Sequence, residues 1–252
     1  MQNPEPAYSI QHPDAQLSDF VESFWMLDNP AEHDREIVVL PDGRIDLFFS
    51  YSDTVPFHIT LLGLEIAPST VTFAAKTKTF AISFRLPASE YLLQMPVAAL
   101  INQAQMLPVD FWGFDSSDLA DFDGFCAKAA ETIRTLLPKD PDVRKLKLFR
   151  LIAASNGALT VQEMSERVGW SSRQINRYFN QQFGLSLKTY CTILRFRASF
   201  QPIKDGKLFP ELNFADQAHF IKAVKKLAGV IPKALSKNQN DRFIQFSTLS
   251  KQ

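Results

Sequence analysis

Apolar positions recur along this chain with two different periods. Between residues 36 and 86 they form short runs: 36–40 (EIVVL), 44–51 (RIDLFFSY), 57–64 (FHITLLGL), 70–74 (TVTFA) and 79–86 (TFAISFRL). Each run is bounded by Pro, Gly, Ser or Lys, which predicts β-strands rather than helices. Pro41-Asp42-Gly43 supplies a hairpin-type turn. Strands this short and this evenly spaced predict a small β-barrel or sandwich, with some of the 22 Phe residues as its core. Residues 17–26 fit a short helix or a strand equally well.

From about residue 88 the period lengthens to that of a helix. Residues 88–93 and 97–105 predict short helices, and 116–137 a long one. In the long one Leu119, Phe122, Phe125, Cys126, Ala129, Ala130, Ile133, Leu136 and Leu137 fall on a single stripe. That stripe faces either its own domain or a second copy, so 116–137 is also a candidate homodimer surface. Pro138-Lys139-Asp140-Pro141 then forms a short, stiff connection. Asp142 is an N-cap for a helix to Ala154, with Val143, Leu146, Phe149 and Ile152 inward and Asn156-Gly157 as its stop.

Two capping boxes follow. Thr160 to Glu163 opens a helix that turns inward Val161, Met164 and Val168 and ends at Gly169. Trp170 fills the corner. Ser171 to Gln174 opens a second helix, to about Gln182, with Ile175, Tyr178 and Phe179 inward. A longer helix is expected from Ser186 to about Gln201. A short helix, a glycine turn and a second helix make a helix-turn-helix.

Charge sharpens this division. The formal net charge is zero, but residues 1–141 hold 8 Lys+Arg against 20 Asp+Glu, a balance of −12. Residues 142–252 hold 19 against 7, a balance of +12. A basic half points to nucleic acid, and an acidic half is repelled by phosphate. The expected organisation is an acidic β-rich sensor or dimerisation domain over 1–138, a helix-turn-helix domain over 142–236 and a flexible polar tail over 237–252. The two cysteines, Cys126 and Cys191, have neither metal nor redox spacing and are expected to be reduced structural thiols. No signal-peptide pattern and no run of 18 apolar residues occurs. A cytoplasmic protein without membrane contact is the expectation.

The outer face of the second helix carries the candidate chemistry: Ser172, Arg173, Gln174, Asn176, Arg177 and Asn180. Arg matches O6 and N7 of guanine, and Asn or Gln matches N6 and N7 of adenine, in the major groove. The N-terminal turns of such a helix meet base edges, while helix N-terminal amides and basic side chains hold phosphate. A trihelical bundle with a solvated polar face is the bland alternative.

The run Ser171, Ile175, Arg177, Phe179, Gly184, Ser186, Tyr190 and Arg195 resembles the signature of AraC/XylS-type transcriptional regulators. The resemblance implies two helix-turn-helix units joined by a long helix, with both recognition helices in successive major grooves. It puts base or phosphate contacts on Arg173, Asn176 and Arg177, with Arg177 alternatively anchoring the fold. Residues 216–232 are similar to the second recognition helix, with Asp216 as cap and Phe220, Val224 and Leu227 buried. Gln217, His219, Lys222, Lys225 and Lys226 are expected to be exposed, and Gln217, Lys222, Lys225 and Lys226 are the candidate DNA contacts there. The chain departs from the family before that helix. About seven residues of a scaffold helix are missing, Pro210 interrupts what remains, and Asn213-Phe214 stands where Gly-Phe is expected. The second unit is therefore shortened, with its recognition helix weakly seated or packed directly on the joining helix.

The first half resembles, less specifically, the cupin-like β-barrels with C-terminal helices that precede such DNA-binding halves. The residues concerned are Tyr8, Pro13, Phe24-Trp25, Leu40 to Gly43 and Phe84 to Pro87. The fold expected is thus α+β, a cupin-like β-barrel followed by an all-α double helix-turn-helix domain. Trp25, Arg44, Tyr51 and Arg85 are candidate pocket residues, and the effector is unknown.

The function expected is sequence-specific binding of double-stranded DNA by a transcriptional regulator under effector or dimer control, with RNA polymerase a further candidate partner. The alternative is a degenerate relative that acts through protein contacts. Catalysis, a cofactor and a metal are not expected. His12, His33, His58 and His219 are scattered, and no nucleophile elbow, phosphate loop or paired-carboxylate site stands out.

Overall fold

The computed structural model describes residues 7–209, 214, 216–239 and 242–248. It is α+β and divides into two compact units. The first comprises residues 1–35, 44–63 and 72–141, and the second comprises 36–43, 64–71 and 142–252. The expectation of a first domain running unbroken over 1–138 therefore needs correction: two segments of that stretch pack with the helical half.

The first unit is built on one antiparallel sheet. Its strands are β1 (Ala7–Gln11), β2 (Val21–Asn29), β4 (Ile45–Tyr51), β5 (His58–Leu62), β7 (Thr77–Phe84) and β8 (Ala104–Leu107), in the order β1-β2-β7-β4-β5-β8. Residues 17–26 thus resolve as a turn leading into β2. Alternation decides which side chains meet the core. Phe24, Leu47, Phe49, Phe80 and Ile82 are all buried. The Phe49 and Phe80 rings lie 5.2 and 5.3 Å from that of Phe125. Phe125 belongs to α2 (Phe122–Leu136), which follows α1 (Pro87–Tyr91).

Two helix expectations change here. Residues 97–105 give only a 3-10 turn at Ala98–Leu100, then Asn102 in the left-handed region (φ 52°) and β8. Left-handed backbone cannot continue a helix, and Asn adopts it more readily than most residues. Residues 116–137 break at Asp121, whose carboxylate accepts from the backbone N–H groups of Asp123 and Gly124 and starts α2 afresh. Phe125, Cys126, Ala129 and Ile133 are buried, so the apolar stripe is used inside its own unit.

The second unit contains α3 (Val143–Ala154), α4 (Val161–Val168), α5 (Ser172–Phe183), α6 (Leu187–Ala198), α7 (Phe200–Lys204), α8 (Gln217–Ala228), α9 (Pro232–Lys237) and α10 (Ile244–Thr248). It also holds most of a two-stranded sheet, β3 (Arg35–Val39) with β6 (Ser69–Phe73). The expected joining helix is interrupted at Ser199. Pro202 has no N–H to give to the carbonyl of residue 198, so an unbroken helix would leave that carbonyl unpaired. Val143, expected inward, is 73% exposed.

Two apolar clusters organise this unit. One gathers Leu148, Phe149, Ile152, Met164, Ile175, Phe179 and Phe183 from α3, α4 and α5, with the Phe179 and Phe183 rings 5.1 Å apart. The other joins Ile193 and Phe196 of α6, Phe200 and Ile203 of α7, Phe220, Val224 and Leu227 of α8, and Leu235 of α9. Phe243 and Phe246 belong to it as well. The expected flexible tail over 237–252 is therefore corrected, because residues 242–248 pack as structure and two Phe rings leave water. The Pro210 and Asn213 expectations fall outside the described residues.

Both thiols are buried. Burial pushes Cys126 up to about 12, with Asp123 and Asp121 adding to the effect, and pushes Cys191 up to about 12 as well. Because the thiolate is the reactive form, native protein at pH 8 is expected to resist alkylation that the denatured chain undergoes readily. Rapid labelling of either thiol in native protein would contradict their placement.

Candidate nucleic-acid interface

Each helix of the first helix-turn-helix is started by its own side chains. Thr160 Oγ1 accepts from Glu163 N (3.2 Å), and Glu163 Oε2 accepts from Thr160 N (2.7 Å). α4 ends at Gly169, whose φ of 66° needs the left-handed region that glycine enters without penalty. Ser171 Oγ then accepts from Gln174 N (3.3 Å) while Gln174 Oε1 accepts from Ser171 N (3.0 Å). Both capping boxes read from the sequence are present. Ser171→Ala should cost about 1 kcal/mol of stability, measurable as a shift in denaturant midpoint; an unchanged midpoint would show that the box contributes nothing.

The Glu163 carboxyl is held below its ordinary value, first by the Thr160 backbone N–H and then by the Thr160 hydroxyl. A depressed carboxylate stabilises the fold above its unfolded pKa and loses that contribution as pH falls through the lowered value. Amide protection at the start of α4 is therefore expected to fade only on the acid side of the usual Glu range.

The outer face of α5 is as expected in most positions. Arg173, Gln174, Arg177 and Asn180 are exposed, and Ser172 and Asn176 are half-buried. Among the described residues neither Arg173 nor Arg177 has a side-chain partner. Arg177 thus lies on the exposed outer face of α5, beside Arg173. The two lie four residues apart, on one face of the helix. Asn176 Nδ2 donates to Ser172 O (3.0 Å) and Asn180 Nδ2 to Asn176 O (2.8 Å). Those local bonds engage the amide nitrogens and not the side-chain oxygens. Gln174 is different: its Oε1 is committed to the cap and also accepts from Ser171 Oγ (2.7 Å). It holds the helix start and is not available for bidentate pairing with adenine while that cap persists.

Two cations that the sequence did not single out flank this helix. Arg144 of α3 lies 5.8 Å from the Trp170 ring, and Lys145 Nζ lies 4.7 Å from the Tyr178 ring. Trp170 and Tyr178 are themselves 5.5 Å apart. Nothing in the local pattern of α3 announces these contacts, because cation–π pairing depends on tertiary geometry.

α8 also matches its expectation in capping and burial. Asp216 Oδ1 accepts from His219 N (2.7 Å), and Gly229 closes α8 at φ 73°. Phe220, Val224 and Leu227 are buried, while Gln217, His219, Lys222, Lys225 and Lys226 are exposed. Reassigning 36–43 and 64–71 to the second unit moves three carboxylates and no Lys or Arg. The split becomes 19 against 10, or +9, for the second unit, and 8 against 17, or −9, for the first. The charge asymmetry survives.

In the first unit three of the candidate pocket residues, Trp25, Arg44 and Arg85, bond to neighbouring side chains. Trp25 Nε1 donates to Ser83 Oγ (2.9 Å), and Ser83 Oγ donates in turn to Asp46 Oδ1. Glu22 pairs with both Arg44 (3.4 Å) and Arg85 (2.9 Å). Tyr51 is half-buried at the end of β4. A row of hydrogen-bonded polar groups thus crosses the sheet on the side opposite the Phe49 and Phe80 core.

Residues 10–105 match the family described as Domain of unknown function (DUF6597). No curated protein matches the chain. Among solved structures, ToxT from Vibrio cholerae O395 aligns at 11% identity and TM-score 0.49, covering 86% of this chain and 98% of that one. Unsaturated fatty acid bound wild-type ToxT from Vibrio cholerae strain SCE256 aligns at 11% identity and TM-score 0.46, covering 93% and 96%. The C-terminal domain of AraT, a response regulator from Geobacillus stearothermophilus, aligns at 16% identity and TM-score 0.34, covering 40% and 89%.

Proposed function

We propose that this chain is a transcriptional regulator of the AraC/XylS type that binds a specific double-stranded DNA site through the major groove. The observation that carries the proposal is the α5 face. Two exposed guanidinium groups without partners among the described residues, Arg173 and Arg177, stand beside Asn176 and Asn180 on a helix that is capped at its start and backed by Phe179. The +9 charge of the unit that presents it supports phosphate contact. The acidic first unit is the regulatory half, acting through an effector or a second copy.

The two reading helices divide the work. α5 offers Arg and Asn, which distinguish bases. α8 offers chiefly Lys222, Lys225 and Lys226, compact charges suited to phosphate. Gel-shift titration over a series of salt concentrations tests this. The intact protein should show a steep salt slope and a large preference for its site over random DNA. Replacing the three lysines by alanine should flatten the slope by about 2.7, at roughly 0.9 per phosphate contact, and weaken all sequences alike. Equal affinity for all DNA, or none, would favour the protein-contact alternative. What speaks for that alternative is that, among the described residues, no helix lies between α7 and α8.

A further inference from the structure

The structure assigns residues 36–43 a positioning role: together with Phe243 to Phe246, they complete the apolar core in which the second reading helix, α8, is seated. This inference deepens the DNA-binding proposal and rests on it for one of its two readouts.

A helix-turn-helix needs a scaffold because a reading helix is amphipathic. α8 buries Phe220, Val224 and Leu227 and exposes its polar face, and some other element must cover the buried stripe. α6 supplies Ile193 and Phe196, and α7 supplies Phe200 and Ile203. Within the same cluster, Val38 is 3% exposed and Leu40 is 1% exposed. These two come from a segment more than 140 residues earlier in the chain, yet they join Phe243 and Phe246 in the core of this unit.

The segment is also fixed through its backbone. Val38 N donates to Arg242 O (2.7 Å), and Val38 bridges to Phe243 in parallel. Gln245 clamps Leu40 from both sides: its Oε1 accepts from Leu40 N (3.1 Å) and its Nε2 donates to Leu40 O (2.9 Å). Tyr190 Oη of α6 donates to Gly43 O (3.1 Å), a buried bond. Gly43 admits this approach because a Cβ there would lie 2.9 Å from Leu194 Cδ2 and 3.1 Å from Tyr190 Cε2, at a φ of 80°. Buried backbone groups must find partners, and beside the pairing of β3 with β6 those of Val38, Leu40 and Gly43 find theirs in α6 and the C-terminal segment. Four chain crossings, at residues 35–36, 43–44, 63–64 and 71–72, tie these inserts covalently to the acidic unit.

The placement has a functional consequence. α5 has its own core from α3 and α4, whereas α8 is buried in a core that the insert shares with α6, α7 and α9. Weakening the insert should loosen α8 while α5 stays ordered. The test uses the full chain with Leu40→Ala, and with Gln245→Ala as the milder variant should the first fail to fold. Hydrogen exchange is read separately over 173–183 and 221–229, and the salt slope of DNA binding is measured alongside.

The expected result is a fall of at least tenfold in protection over 221–229 with little change over 173–183. The salt slope should flatten by about 2.7, the share of three lysine–phosphate contacts, with site preference largely retained. A purely structural role would lower protection in both helices together and leave the slope of the folded protein unchanged. That outcome, or unchanged protection in α8 for both variants, overturns the proposal. If intact protein binds no DNA, the regulator reading fails, and the exchange measurement still decides the seating of α8.

Discussion

Arg173→Ala is expected to lower the preference for the specific DNA site by about 5- to 150-fold, with little effect on folding. The first figure follows from bidentate pairing of a guanidinium with guanine, worth about 1–3 kcal/mol of discrimination. The second follows from the surroundings of the side chain. Arg173 is exposed and has no protein partner among the described residues, so its removal should move stability by less than about 0.5 kcal/mol. Competition gel shifts against site variants separate the roles. A loss confined to one base position identifies base reading. Equal weakening on every sequence, with a slope flatter by about 0.9, would make Arg173 a phosphate contact. Arg177, on the same face and likewise without a partner among the described residues, is the second substitution of the series.

The parts of this molecule that were legible in the sequence are those set by local chemistry. Thr160 with Glu163, Ser171 with Gln174, and Asp216 are caps whose partners lie within three residues. The strands between residues 36 and 86 were legible because alternation and turn residues are local too, whereas β1 and β8 were not. Gln174 shows the limit of that reading. The same capping box that revealed the helix start also occupied the oxygen counted as a base reader.

Tertiary decisions were not legible. Val38 and Leu40 read as an ordinary strand of the first domain, since a strand does not state which core it will enter. Likewise the polar residues between Ser236 and Asp241 suggested a tail with nothing to bury, although Phe243 and Phe246 follow within a few residues. Asn238 turns the chain back through the left-handed region (φ 35°), and its Oδ1 accepts from Phe243 N (2.8 Å). That bond ties Asn238 to the segment that carries the two rings.

Phe246→Ala should therefore be severely destabilising, by about 3–5 kcal/mol. Phe246 is 1% exposed, and its ring packs 5.3 Å from that of Phe200. Its carbonyl accepts from Lys204 Nζ (2.8 Å), so the backbone around it is tied down as well. Alanine would leave a void between α7 and α10 that surrounding side chains fill only in part, and the cost combines lost burial with the cavity. Against a domain stability of about 5–15 kcal/mol, that is enough to populate states in which the second unit is open. The measurement is denaturant unfolding of the full chain, with fluorescence and circular dichroism compared, because two units need not unfold together. A midpoint shift in the transition of the helical unit is expected, and protection over 221–229 should fall before that over 173–183. A change below about 0.5 kcal/mol is what a solvated tail would give, and it would refute the packing of residues 242–248 and the seating of α8 along with it.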